Sequence, residues 1–227
     1  GAKARPAIAD LSDADGAAQL LRAVTGVDIL VNNAGCALMG LVIDLSIEDL
    51  RLQFETNVIG LIALTRAVAP HMIRQRSGLI VNIASVSGVC ATPFAGAYCG
   101  TKAAVNLLSD SLRMELTPFG ITVITVQPGR IQSNFGDAAA RKMGQYDQSF
   151  YAPVAEDISA RAAISQQDAM PADVFSKKLV DQLLLKKIPT LIRIGKESTR
   201  LPLIKKLPVN LLDRIMIKKF GLEKLKK

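Results

Sequence analysis

The chain has 227 residues, 49% of them hydrophobic and 21% charged, with a formal net charge of +8. This balance excludes a disordered chain and suits one domain with a substantial core. A single histidine, His71, and three cysteines (Cys36, Cys90, Cys99) at no ligand spacing argue against a metal site and for free thiols in a reducing compartment, which points to the cytoplasm.

In chain order, residues 7–9 read as a strand end closed by Asp10, and residues 13–24 as a helix. The β-branched run at 27–32 (VDILVN) is long enough for a buried strand. Residues 47–75 read as one long helix, with Ser46 as cap and Glu48 and Asp49 complementing its dipole. Its apolar stretch at 58–70 is interrupted by Arg66, short of the run a membrane span needs. Residues 78–84 (GLIVNIA) form a second buried strand, 96–117 a helix stopped near Pro118 and Gly120, and 121–126 (ITVITV) a third strand ended by Pro128-Gly129. The pattern loosens from 133 to 170, then gives a helix at 172–187, a strand at 190–194 and a last helix at 208–220. Apolar strands alternating with helices predict an α/β fold whose parallel sheet is covered on both faces. Ligands in such sheets collect at the carboxyl ends of the strands, where Asp10, Asn33-Ala34-Gly35, Ser85 and Pro128-Gly129 stand.

Tyr98 and Lys102 are four apart in a helix, so they share a face. A lysine ammonium beside a phenol favours the phenolate and equips the tyrosine for proton exchange with a carbonyl or hydroxyl. The bare spacing recurs by chance in many helices. Ser85, thirteen residues upstream at a strand end, adds a donor for a developing oxyanion. Asn57 lies mid-helix, where asparagine is unfavourable without a hydrogen-bonding reason.

Taken together, Asp10-Leu11, Asn32-Asn33-Ala34-Gly35, Asn57, Asn82-Ile83-Ala84-Ser85, Tyr98-x-x-x-Lys102 and Pro128-Gly129 with Ser133 resemble the short-chain dehydrogenase/reductase family, in order and spacing, over residues 5–200. The resemblance implies a Rossmann-like doubly wound parallel sheet and an NAD(P)-dependent oxidoreductase interconverting a ketone and a secondary alcohol. By that resemblance Tyr98 exchanges the proton, Lys102 lowers its pKa and holds the nicotinamide ribose, Ser85 polarises the carbonyl, and Asn57 holds a water leading to Lys102. Asp10 meets the adenine, Asn33, Ala34 and Gly35 pass the ribose and brace the sheet, and Pro128, Gly129, Ile131 and Ser133 line the nicotinamide. Ser133 stands where the family usually has threonine. Arg66 matches a basic cofactor position.

One departure matters. No Gly-rich turn precedes Asp10, so the pyrophosphate cradle and the NAD or NADP determinant are missing from this sequence. The expectation is an N-terminally truncated sheet, its first two strands absent, an unpaired Asp10 strand, and weak or no dinucleotide binding, with NADP slightly favoured over NAD.

Residues 1–200 are read as the partial catalytic domain, with 133–187 as a substrate lid carrying Phe135, Met143, Tyr146 and Tyr151. With Val89, Cys90 and Phe94 these suggest an apolar steroid, retinoid or acyl-chain substrate, or lid packing alone. Arg130, Arg141 and Lys142 offer contacts to a phosphate or are surface charge. Residues 177–227 hold 15 Lys/Arg against 4 Asp/Glu, and the rest 13 against 16. The 201–227 tail is thus basic, and Leu212, Ile215, Met216 and Phe220 share one face of its helix. That face serves peripheral membrane contact or docking on the body. No interleaved aromatics accompany the tail, which argues against nucleic acid. A homodimer or tetramer is implied by resemblance, and a non-catalytic binding or scaffold protein is the rival reading.

Overall fold

The computed structural model describes residues 3–13, 15–22, 26–133, 149–164 and 166–225. Four parallel strands form one sheet in the order β1 (Ile29–Asn32), β2 (Gly78–Ile83), β3 (Ile121–Pro128), β4 (Leu191–Ile194). Ile29 pairs with Leu79, Ile80 with Val123, and Thr125 with Leu191. Parallel neighbours require crossovers, and helices supply all three. α1 (Gly16–Arg22) precedes β1; α2 (Ile47–Phe54) and α3 (Gly60–Gln75) lead to β2; α4 (Gly96–Leu116) leads to β3. α5 (Ala155–Ala163) and α6 (Ala172–Leu183) lead to β4, and α7 (Arg200–Ile204) and α8 (Val209–Lys219) follow it.

The period of two along the central strands divides the core. Ile80, Ile121 and Val123 pack with Val68 and Met72 of α3 and Leu116 of α4 on one face. Val81, Ile124 and Val126 pack with Leu179 of α6, Ile192 and Ile194 on the other. This is the α/β, doubly covered sheet that the apolar strand runs predict.

Three expectations are corrected. Residues 7–9 form no strand: Ile8 is 99% exposed, and Asp10 instead closes a turn by accepting hydrogen bonds from the Ser12 amide (2.8 Å) and hydroxyl (2.7 Å). An extended segment with no neighbour leaves its backbone groups to water. The same edge leaves Ile29 and Val31 of β1 56% and 49% exposed. Secondly, the 47–75 helix is not one regular rod. Ser46 Oγ caps it by accepting from the Asp49 amide at 3.0 Å, but residues Glu55–Ile59 form a π-helical turn between α2 and α3. Thirdly, the stretch Ile47–Gln75 does reach the length and mean hydropathy of a membrane-crossing helix, since arginines are tolerated in an average over its window; 44% of that window is buried inside the fold.

The apolar face of α8 packs on the body. Leu212, Met216 and Phe220 are buried with Leu41, Cys90, Phe94, Val154 and Ile158, and the Phe94 and Phe220 rings meet edge to face at 6.2 Å. Of the face offered to a membrane, only Ile215 stays partly exposed, while Val209 and Leu211 elsewhere on the helix remain exposed. Tyr151 joins this cluster, whereas Phe135, Arg141, Lys142, Met143 and Tyr146 lie outside the described residues.

Gly129, just past β3, lets the backbone close on the β4 connection: its amide donates to Ile194 O at 2.8 Å, and an added Cβ would stand 1.9 Å from Lys196 O. Gly129→Ala is therefore expected to destabilise the fold by roughly 1–3 kcal/mol, read as a lower urea midpoint at unchanged slope.

Candidate active site

At the carboxyl ends of β1, β2 and β3 lies a cavity of about 430 Å³. Ten of the residues expected to serve the site line it: Asn33, Ala34, Gly35, Ser85, Tyr98, Lys102, Pro128, Gly129, Ile131 and Ser133. The topology explains the convergence, because parallel strands deliver their following loops to one edge. Asp10 and Arg66 do not line it; both are exposed, and the Asp10 carboxylate is engaged by Ser12.

Asn57 stands directly behind the cavity wall, fully buried in the π-turn. Its Oδ1 accepts from the Cys36 amide at 2.7 Å, and its Nδ2 donates to Cys36 O (2.8 Å) and to Thr101 Oγ1 (3.0 Å). Thr101 Oγ1 in turn donates to Tyr98 O at 2.8 Å. The wider π-turn turns a mid-helix asparagine inward, which answers why a poor helix former stands there. Both amide hydrogens are committed to protein, so the side chain itself could hold a water on the way to Lys102 only by accepting at Oδ1. A Cβ on Gly35 would meet Asn57 Oδ1 at 3.0 Å and Lys102 Nζ at 3.7 Å, which keeps that position side-chain-free.

The bracing expected of Asn33-Ala34-Gly35 falls to Asn32, one residue earlier, because β1 alternation points Asn32 inward and leaves Asn33 exposed. Asn32 Nδ2 donates to Asn82 Oδ1 (2.9 Å) and Thr65 Oγ1 (3.1 Å), and Asn82 Nδ2 donates to Ser109 Oγ (2.9 Å). This ladder ties β1 and β2 to α3 and α4.

Ser85 leaves β2 extended, and its Oγ accepts from the Ser87 amide at 3.1 Å. Tyr98 and Lys102 both lie in the buried first turns of α4. Lys102 Nζ donates to Ile83 O at 2.8 Å and sits 6.0 Å from the Tyr98 ring centroid. Burial pushes the Tyr98 phenol up to about 12, while a hydrogen bond with Ser85 and the nearby Arg161 charge pull it down. Burial lowers the Lys102 ammonium to about 8. A depression of Tyr98 by Lys102, as the spacing predicts, is not among the causes: the ammonium is turned to a backbone carbonyl, and desolvation of the phenolate dominates.

Sequence reasoning missed Arg161 and Thr92. Both are buried and line the cavity, and Arg161 Nη2 donates to Thr92 Oγ1 at 2.9 Å. They are 69 residues apart, and no local pattern marks either one.

Because burial lowers the folded-state pKa of Lys102 from 10.5 to about 8, the unfolded chain binds more protons between those values. Stability contributed by this group therefore rises with pH through that window. The urea midpoint of the native chain is expected to climb from pH 8 to 10 relative to Lys102→Met, which lacks the ionisation; parallel pH profiles would refute the assignment.

Known proteins resemble this arrangement in sequence and in fold. A family profile described as short chain dehydrogenase matches residues 1–144. The dehydrogenase/reductase SDR family member 7B of Xenopus laevis is 40% identical over 131 residues, 56% of this chain and 41% of that protein. The 3-ketodihydrosphingosine reductase of Bacteroides thetaiotaomicron is 39% identical over 111 residues, 49% of this chain and 41% of that protein. A crystal structure of a short-chain dehydrogenase from Streptomyces avermitilis superposes with a TM-score of 0.69 at 27% identity, covering 95% of this chain and 77% of the other. The chain spans about half the length of the curated relatives it matches.

Proposed function

The chain belongs to the short-chain dehydrogenase family, and from that premise we propose that it is an NAD(P)-dependent oxidoreductase interconverting a ketone and a secondary alcohol on a largely apolar substrate. The observation that carries the reading is the meeting of Ser85, Tyr98 and Lys102 in one cavity.

The residues fit a nicotinamide ribose at this end of the cavity. Gly35, Pro128 and Gly129 present little more than backbone, Ser133 and Lys102 present donors, and a side chain at Gly35 would crowd Asn57 and Lys102. Asn33, Ala34 and Ile131 complete that wall. NADP or NAD, when bound, supplies or takes up the hydride. The chain's own groups handle the proton. With its pKa near 12, Tyr98 is a neutral phenol at physiological pH and donates from Oη to a carbonyl oxygen during reduction. Ser85 Oγ–H donates to the same oxygen as negative charge develops. Lys102 holds ribose hydroxyls and brings positive charge toward the phenol once its Ile83 contact loosens. Asn57 positions the Gly35-Cys36 turn against Lys102.

Met39, Val86, Ile164, Phe175, Leu201 and Phe220 make the other walls apolar. This supports a greasy ketone, in keeping with a relative named for a sphingoid ketone. Exposed apolar side chains on α2, the π-turn and α4 (Phe54, Ile59, Leu107, Met114) support self-association into a dimer or tetramer.

With NADPH in millimolar excess, reduction of medium-chain ketones is expected. Tyr98→Phe should lower kcat/KM about 10²–10⁴-fold with little change in Tm. Equal rates in the two proteins would sink the role of Tyr98, and no ketone-dependent oxidation of NADPH would sink the reading as a whole.

A further inference from the structure

Arg161 of α5 is 7% exposed, yet among the described residues no carboxylate lies within ion-pair distance of it. Its Nε and Nη2 both donate to one neutral acceptor, Thr92 Oγ1, at 3.3 and 2.9 Å. Its guanidinium carbon lies 5.9 Å from the centre of the Phe220 ring. The acids nearby are engaged elsewhere. Asp157, one turn earlier on α5, pairs with Lys224 at 2.6 Å. Glu197, the acid of the cavity wall, pairs with Arg200 at 3.3 Å and Arg130 at 3.9 Å. A guanidinium keeps its charge, and burying it beside a hydroxyl alone is costly. The side chain lines the same cavity as Tyr98, and most of its N–H donors have no partner among the described residues.

We propose that Arg161 anchors a carboxylate carried by the substrate, with Thr92 holding the guanidinium in place. This rests on the cavity being the substrate site, and narrows the substrate to a keto or hydroxy acid with an apolar body. The planar fork matches a planar carboxylate with two parallel hydrogen bonds. Among the other cations of the wall, Arg130 faces Glu197, Lys102 donates to Ile83 O and Lys219 is exposed to water, so Arg161 is the buried cation left without a counter-charge, and a single negative charge matches it. A phosphate dianion would draw on Lys219 as well. Phe220 and Val86 supply the apolar surface beside the anchor.

The test is calorimetric titration of the full chain, without cofactor, with 2-oxooctanoate and 4-oxooctanoate, their methyl esters, and octyl phosphate. One keto acid is expected to bind about tenfold more tightly than its ester. That gap should vanish in Arg161→Met and Thr92→Val and partly return in Arg161→Lys. Replacing a buried, unpaired charge by an apolar side chain of similar length should leave Tm unchanged or raised. Equal binding of acid and ester, no binding of either, or a gap that survives Arg161→Met overturns the proposal. So does a collapse of Tm in both Arg161 variants, which would mark a structural arginine. Tighter binding of octyl phosphate with the same Arg161 dependence overturns the carboxylate in favour of a phosphate. An Arg161-dependent acid preference without NADPH-dependent turnover would instead refute the oxidoreductase reading and leave the anion site standing.

Discussion

The Asn57 carboxamide joins the three pieces on which the cavity is built. Its two bonds to the Cys36 backbone hold the loop after β1, and its bond to Thr101 holds α4. Thr101 then bonds the backbone of Tyr98, so one buried side chain fixes both the wall of the cavity and the residue that faces it. Buried amides must be satisfied, and every hydrogen of this one is. The π-turn is the local cost of aiming it inward. The turn accommodates one more residue than a regular helical turn through an i→i+5 hydrogen bond, the Gly60 amide donating to Glu55 O.

Around that clamp the side chains are buried, and burial sets their electrostatics. The same burial pushes Tyr98 toward the neutral phenol and Lys102 toward the neutral amine. Arg161 cannot follow by giving up its proton at any ordinary pH, so it remains a permanent charge near the phenol and, through Thr92, is tied to the loop after β2. Burial strengthens each of these interactions, because enclosed groups are screened less than groups at the surface. The acid–base partners therefore take their character from the enclosure, and the helical spacing of Tyr98 and Lys102 supplies only their adjacency.

Much was legible in the sequence where the signal is local. The β-branched runs around Ile80 and Ile124 are strands buried on both faces, as such runs predict; the run around Ile29 is a strand too, but an edge one with Ile29 and Val31 exposed where a buried strand is expected. Ser46 with Asp49 marked a helix start, and Pro128-Gly129 marked the end of a strand beside a close backbone approach. Ser85, Tyr98 and Lys102 could be grouped because two lie one helical turn apart and the third ends a strand. Residues 7–9 were misleading: a local apolar pattern forms a strand only if a neighbour accepts its hydrogen bonds.

The sequence by itself determined the parallel α/β layering, the positions of its strands, and the proton-handling trio, all properties of periodicity and short spacing. Only the tertiary structure decided that Asn32 and not Asn33 braces the sheet, that the basic tail lays its apolar face on the body, and that Arg161 reaches Thr92 across 69 residues of chain. It also decided the charge state of Tyr98, where desolvation outweighs the hydrogen bond with Ser85 and the charge of Arg161. The physical reason is the same in each case. Burial and long-range contact are sums over distant segments, and no window of the sequence contains them.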